Sequence, residues 1–220
     1  MLTFDKEDNI LLIDKPAGIT SFGVVARVKR QIKEHFGRKI KVGHTGTLDP
    51  FATGLMIILT GKQTKNAMDY SKLDKVYEAT VRLGQTSTTG DPEGEISAVS
   101  DKIPTENELQ AVLEAFRGEI TQIPPIYSAI KIGGQRAYKL ARKGEIPEIP
   151  ERRVTVYKLE LLDYSYPAVR LKAHVSSGTY IRTLAEDIGR QLGTGAYCQQ
   201  LRRTKVGRWT IDEALPIALD

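Results

Sequence analysis

Gly43-His44-Thr45-Gly46-Thr47-Leu48-Asp49-Pro50-Phe51-Ala52-Thr53-Gly54 runs directly into Leu55-Met56-Ile57-Ile58-Leu59, the longest apolar run of the chain. Five apolar residues are far too few to span a bilayer and match the length of a buried strand. The twelve residues before them contain three glycines, which open tight or positive-φ turns. Pro50 biases Asp49 away from helical geometry. The stretch therefore predicts a rigid loop that presents a carboxylate beside the imidazole of His44, followed at once by a core strand. Asp before Pro is, by itself, an ordinary turn initiator.

Working outward, Asn9–Ile13 predicts a short strand, followed by the turn Lys15-Pro16-Ala17-Gly18-Ile19-Thr20-Ser21, which ends in a helix-capping residue. Phe22, Val25, Val28 and Ile32 then recur at helical spacing and predict the buried stripe of a helix. Lys75–Leu83 predicts a strand, although Val76, Ala79 and Val81 alternate imperfectly. Thr105-Glu106-Asn107-Glu108 is a capping box ahead of Leu109, Val112, Leu113 and Phe116. Strands are expected at Val154–Leu162 and Val169–Val175, and a helix from Thr179 to Leu192 that buries Ile181, Leu184, Ile188 and Leu192. Without a regular βαβ rhythm, this order predicts an α+β fold: a mixed, largely antiparallel central sheet flanked by helices and loops. The chain reads as a single domain over 1–220, with the proline-rich and charged stretch 123–153 as a long connection.

Net charge is +5, but it is segregated. Arg27–Lys41 holds seven basic residues against one acidic, Lys131–Arg153 seven against three, and Arg170–Arg208 eight against two. The remainder carries −11. Such segregation is the footprint of a polyanion binder. The N-terminus lacks the basic-then-apolar order of a signal peptide. One cysteine, Cys198, excludes an internal disulfide and suits a reducing cytoplasm. With three histidines and one cysteine, a structural zinc site is not expected. No phosphate-binding Gly-x-x-x-x-Gly-Lys-Ser/Thr loop occurs. A metal-dependent nuclease would gather several acidic ligands, and between Phe36 and Tyr70 the only acidic neighbour of Asp49 is Asp69. A non-catalytic RNA-binding protein suits the charge but gives no reason for Asp49 together with Arg182.

Lys15-Pro16-x-Gly18-x-Thr20-Ser21, Gly43-His44-x-Gly46-x-Leu48-Asp49-Pro50-x-Ala52-x-Gly54 and Gly178-Thr179-Tyr180-Ile181-Arg182 resemble the motifs of the tRNA pseudouridine-55 synthases. Ser128-Ala129-x-Lys131, with Gly133/Gly134, Arg136 and Tyr138, resembles that family's RNA-gripping insertion. The motifs stand in family order from Lys15 to Leu201. The resemblance implies a pseudouridine-synthase-like fold and isomerisation of a uridine in the T loop of tRNA, with no cofactor, no metal and no obligatory protein partner. It assigns Asp49 as nucleophile or base, Arg182 as its charge partner, and Tyr77 against the target base with its hydroxyl available for proton transfer. Tyr180 and Leu201 would complete the pocket wall, and His44 would stack on or displace a base. Residues 123–153 become a mobile RNA-binding insertion. Lys65, Lys131, Arg136, Arg142, Arg202, Arg203 and Lys205 are candidate contacts to the RNA backbone. Arg182 also carries a physical argument of its own. A cation in the first turn of a helix opposes the macrodipole and calls for a compensating anion. Two departures stand out. Many bacterial members continue into a small C-terminal RNA-binding domain, whereas this chain ends soon after Trp209, so it reads as the catalytic domain without that addition. Val175-Ser176-Ser177 also precedes Gly178 where relatives often carry cysteine or lysine.

Overall fold

The computed structural model describes residues 4–128, 130–141, 144 and 148–218. The first elements are β1 (Ile10–Lys15), α1 (Ser21–Phe36), β2 (Val42–His44), β3 (Thr53–Thr60), a 3-10 turn over Gly61–Asn66, α2 (Ala67–Ser71) and β4 (Lys75–Leu83). Next come β5 (Gln85–Ser87), β6 (Ile96–Ala98), α3 (Glu106–Ala115), β7 (Gly118–Gln122), β8 (Lys131–Ile132), β9 (Gln135–Arg136) and α4 (Ala137–Ala141). The last are β10 (Arg152–Ser165), β11 (Ala168–Val175), α5 (Ile181–Leu192), β12 (Ala196–Val206), β13 (Trp209–Thr210) and β14 (Leu215–Pro216). The chain divides into two compact units, 1–77 with 202–220, and 78–201. Both boundaries fall inside strands, β4 and β12.

In the first unit the strand order is β14-β1-β3-β12, with β2 also on β3 and β13 on β12. β3 pairs antiparallel with β1 and β2 but parallel with β12. The apolar run is the centre of this arrangement, and Leu55, Met56, Ile57, Ile58 and Leu59 are each at most 1 % exposed. Leu55, Ile57 and Leu59 point to one side, against Val206, Leu12, Tyr70, Leu73 and Trp209; Met56 and Ile58 fill the other, by the twofold alternation of a strand. α1 starts at Thr20, whose hydroxyl accepts from Gly23 N, and ends at left-handed Gly37. Its buried stripe is Val24, Val25, Val28 and Ile32. Phe22 does not belong to it. The expected period placed that ring in the core, but it is 68 % exposed. The stripe starts instead at Val24, one turn before Val28.

In the second unit β4, β11, β10 and β7 are neighbours in that order. β10 pairs antiparallel with both β11 and β7. β4 alternates cleanly, burying Lys75, Tyr77, Ala79, Val81 and Leu83; the imperfect alternation in the sequence came from counting Val76 as core and Lys75 as surface. The capping box of α3 forms, with Thr105 and Glu108 exchanging hydrogen bonds and Leu109 and Leu113 buried. α5 buries Ile181, Leu184, Ile188 and Leu192 as the periodicity requires. Between β7 and β10 the connection carries the short β8–β9 hairpin, turned by positive-φ Gly133 and Gly134, and α4. Pairing is largely antiparallel in both units, so the expected α+β class is the one the chain adopts.

Register does the positioning. Lys15 lies opposite Gly54 on one side of β3, and Arg203 opposite Gly54 on the other. Gly54 has φ +107°, and a Cβ there would sit 2.3 Å from the carbonyl oxygen of Arg203 and 2.7 Å from its nitrogen. Neither backbone atom can yield as a side chain would. Gly54→Ala should therefore destabilise the fold by about 1–3 kcal/mol, from positive-φ strain and overpacking together. Urea unfolding of the two proteins measures this, and equal midpoints would mean that the strands separate at no cost.

Candidate active site

The Asp49 loop is held on both sides of the carboxylate by groups that the turn Lys15–Ser21 supplies. Ser21 Oγ donates to Leu48 O and accepts from Leu48 N, both at 2.8 Å. Lys15 lies on the buried face of β1 with Leu11 and Ile13 and is fully buried. Its ammonium donates to Pro16 O and Ile19 O at 2.8 Å and to Pro50 O at 3.1 Å. Gly18 N adds a bond to Pro50 O at 2.9 Å. Within the loop Ala52 N donates to Asp49 O at 3.1 Å. Leu48 and Pro50 are thus each pinned, and the half-buried Asp49 between them has a fixed backbone.

Arg203 braces the same loop. It is 2 % exposed. Its Nε donates to Leu55 O at 2.7 Å, Nη2 to Gly46 O at 3.2 Å and Nη1 to Thr47 O at 3.4 Å. The expectation that Arg203 contacts RNA phosphates is therefore corrected: its guanidinium is buried and spent on three carbonyls of the loop. Lys75 is also buried, with Nζ donating to Ser71 O at 2.7 Å and to Leu73 O. Burial, seconded by the charge of Arg203 and opposed by Asp74, lowers its pKa to about 8. Tyr77, two residues on along the same face of β4, is 8 % exposed.

In the second unit Arg182 occupies the second position of α5 and is 4 % exposed. Nη1 donates to Asp91 Oδ2 at 3.0 Å and to Thr89 O at 2.8 Å, and Nη2 to Tyr127 O at 2.8 Å. The anion that the helix dipole calls for is, in this unit, Asp91, which the sequence reading did not single out. A signal was present: Gly90-Asp91-Pro92 repeats the Asp-Pro turn chemistry of Asp49-Pro50. Asp91 Oδ1 accepts from Thr89 Oγ1 at 2.5 Å and from Glu93 N at 3.0 Å. Gln122, 1 % exposed, is a second residue missed. Its side chain accepts from Tyr180 N at 3.0 Å and donates to Tyr180 O at 3.2 Å, so it fixes the peptide that caps α5. Glu186, one turn after Arg182, has its carboxyl pushed up by burial, against the pull of Arg182.

Of the other expected site residues, His44 ends β2 half-buried, Tyr180 is half-buried at the start of α5, and Leu201 is 8 % exposed on β12. Lys65, Lys205 and Arg136 are exposed. Arg202 makes a two-pronged ion pair with Asp14, at 2.7 and 3.1 Å, and stays 40 % exposed. Lys131 lies on β8, and Arg142 lies outside the described residues. Among the described residues no group of three His, Cys, Asp or Glu side chains is placed to hold a metal ion, and no helix is long and apolar enough to cross a membrane.

Two measurements follow from these buried charges. Lys75 holds its proton less tightly folded than unfolded, so between about pH 8 and the ordinary 10.5 the unfolded chain binds more protons. Its penalty on folding is full below pH 8 and fades as pH rises towards 10.5. The stability of the wild type minus that of Lys75→Met should therefore increase across this window in urea melts; a flat difference would mean that the ammonium is not desolvated. Asp91→Ala strands a buried guanidinium and should cost about 3–5 kcal/mol in unfolding free energy. Asp91→Asn, whose amide oxygen still accepts hydrogen bonds, should cost less, and equal losses in the two variants would show that the charge of Asp91 is what matters.

Residues 33–181 match the family described as TruB family pseudouridylate synthase (N terminal domain), and residues 182–219 match tRNA pseudouridylate synthase B C-terminal domain. A protein of Mycobacterium sp. (strain KMS) named tRNA pseudouridine synthase B is 46% identical over 213 residues, which is 94% of this chain and 70% of that protein. The protein of the same name from Burkholderia pseudomallei (strain 668) is 46% identical over 216 residues, 97% of this chain and 69% of its own length. Among solved structures, a chain of a Cbf5-Nop10-Gar1 complex superimposes with a TM-score of 0.73 at 31% identity, covering 96% of this chain and 53% of that one. A chain of an H/ACA RNP bound to a substrate RNA containing 2'-deoxyuridine gives 0.68 at 28%, covering 96% and 51%. The chain thus spans about 70% of these curated relatives and about half of the solved chains. It belongs to the TruB family of pseudouridylate synthases.

Proposed function

We propose that the protein isomerises a uridine in the T loop of tRNA, at position 55, to pseudouridine, with Asp49 as nucleophile or base. The observation that carries the reading is the double clamp on the Asp49 loop. Leu48 is fixed by Ser21 and Pro50 by Lys15, so one carboxylate is held still without its own charge being used for the purpose. A reaction that depends on one carboxylate gains from this preorganisation. The names of the curated relatives support the same substrate.

The isomerisation is redox-neutral. The bond from ribose C1′ to uracil N1 breaks, the base turns, a bond from C1′ to C5 forms, and the proton displaced from C5 is balanced by one gained at N1. Asp49 attacks the ribose or the base, or removes a sugar proton. Arg182, in this reading, is the cation that keeps Asp49 ionised. Tyr77 lies against the base with its hydroxyl available for proton transfer, Tyr180 and Leu201 wall the pocket, and His44 stacks on or displaces a base during extrusion. Residues 123–153 grip the T arm as a mobile insertion on a single catalytic domain. Lys65, Lys131, Arg136, Arg142, Arg202 and Lys205 meet phosphates, Arg202 by exchanging Asp14 for one. The enzyme acts on cytoplasmic tRNA and needs neither cofactor nor metal.

Incubation with unmodified tRNA in EDTA, with no nucleotide added, should yield pseudouridine at one T-loop position by chemical mapping. Asp49→Asn keeps the shape of the side chain but removes its charge. It should abolish product while tRNA affinity stays within about 1 kcal/mol, since affinity rests mainly on phosphate contacts. An Asn variant with wild-type turnover would sink the assignment, and activity that returns only with added metal would point to different chemistry.

A further inference from the structure

α1 carries a row of exposed residues that neither its packing nor the reaction uses. At 100° per residue, Phe22, Ala26, Lys29, Arg30 and Lys33 fall within about 100° of arc, opposite the buried stripe Val24, Val25, Val28 and Ile32. All five are exposed, Phe22 at 68 %. Lys29 Nζ lies 5.8 Å from the centre of the Phe22 ring. The nearby basic residues divide differently. Arg27 donates to Ala218 O and Gly23 O, and Arg38 pairs with Glu7. Glu34 is the sole acidic residue of the helix and lies at the flank of the row.

We propose that this face of α1 is a second RNA-contact surface, on which Lys29, Arg30 and Lys33 meet successive phosphates and the Phe22 ring stacks on a base. The inference rests on the reading of the protein as an RNA-modifying enzyme. A charged row alone is what any solvated helix face shows. What sets this one apart is an open aromatic ring in line with the cations, the combination of stacking platform and phosphate contacts by which proteins follow a nucleic-acid strand. From Phe22 to Lys33 the row spans about 17 Å, enough for several nucleotides of one strand. Its place is fixed as well: Ser21, the residue before Phe22, is hydrogen-bonded in both directions to Leu48, next to Asp49. RNA seated on the row is thereby held in constant register with the Asp49 loop of the same unit.

The test measures equilibrium binding of unmodified tRNA as a function of salt, beside single-turnover pseudouridine formation. The triple variant Lys29→Gln, Arg30→Gln, Lys33→Gln should bind about tenfold or more weakly near physiological salt. The slope of log K against log salt should flatten by about two to three, from roughly 0.7–0.9 per lost phosphate contact. Its rate at saturating tRNA should stay within about twofold of wild type. Phe22→Leu should weaken binding about fivefold or more, whereas Phe22→Trp should not, because a stacked base is lost only in the first. Unchanged affinity and slope in the triple variant, or leucine binding as tightly as tryptophan, would overturn the inference. So would unchanged tRNA binding in variants that abolish self-association in sedimentation, which would make the row a contact between copies of the chain. Failure of the wild type to form pseudouridine would instead defeat the functional reading, and the two failures are told apart because the row is scored on binding.

Discussion

Buried cations that grip main-chain carbonyls hold the first unit in its working shape. Lys15 and Arg203 are among the most deeply buried polar side chains of the chain, and each spends its charge on three carbonyl oxygens. A buried charge is costly unless it is fully hydrogen-bonded, and an ammonium or guanidinium surrounded by carbonyl dipoles meets that condition. The consequence is geometric. Lys15 ties the turn after β1 to Pro50, Arg203 ties β12 to Gly46, Thr47 and Leu55, and both flank Gly54 in register. Removal of either would leave three acceptors to be satisfied by water in a dry interior. The loop is rigid because loosening any one anchor exposes the others.

The second unit solves a related problem by a different route. Arg182 stands where the dipole of α5 repels it, and there a carboxylate, Asp91, supplies the compensation. Asp91 is held in turn by Thr89 and the peptide of Glu93, and Ser87 binds its carbonyl. The tight turn of the β5–β6 hairpin is thus ordered around one buried ion pair. The third arm of the guanidinium takes Tyr127 O, at the root of the connection that leads to the β8–β9 hairpin. Movement of that connection cannot leave Arg182 unaffected, because a main-chain carbonyl at its base is one of the three groups that define the guanidinium's plane.

Which parts were legible in the sequence follows from how local their physics is. The apolar run of β3, the capping box of α3 and the period of α5 each depend on residues close in sequence, and each forms where the pattern places it. The Asp49 loop was legible as a loop from its glycines and Pro50, but its anchors were not, since Ser21, Lys15 and Arg203 reach it across 27, 35 and about 150 residues. Asp91 was overlooked for the same reason: it lies 91 residues from the arginine it neutralises. Phe22 was misplaced because helical spacing alone cannot distinguish a core ring from an exposed one a turn away. Lys75 obscured the alternation of β4 because a lysine was taken for a surface residue, and here its ammonium is carried inward to the carbonyls of Ser71 and Leu73.

The same distinction revises what the charge pattern means. Counted along the sequence, Arg170–Arg208 and Arg27–Lys41 look equally basic. In three dimensions they differ. Arg182 and Arg203 are buried and Arg202 is matched by Asp14, so much of the C-terminal excess neutralises dipoles and carboxylates inside the protein. A charge compensated at contact distance contributes little to the field outside. The α1 segment retains Lys29, Arg30 and Lys33 at the surface, in one row, with one acidic residue at its flank. The exterior potential of the first unit is therefore weighted towards a helix whose N-terminus is bolted to the Asp49 loop, and an approaching polyanion meets the strongest field beside the carboxylate rather than wherever the sequence is most basic.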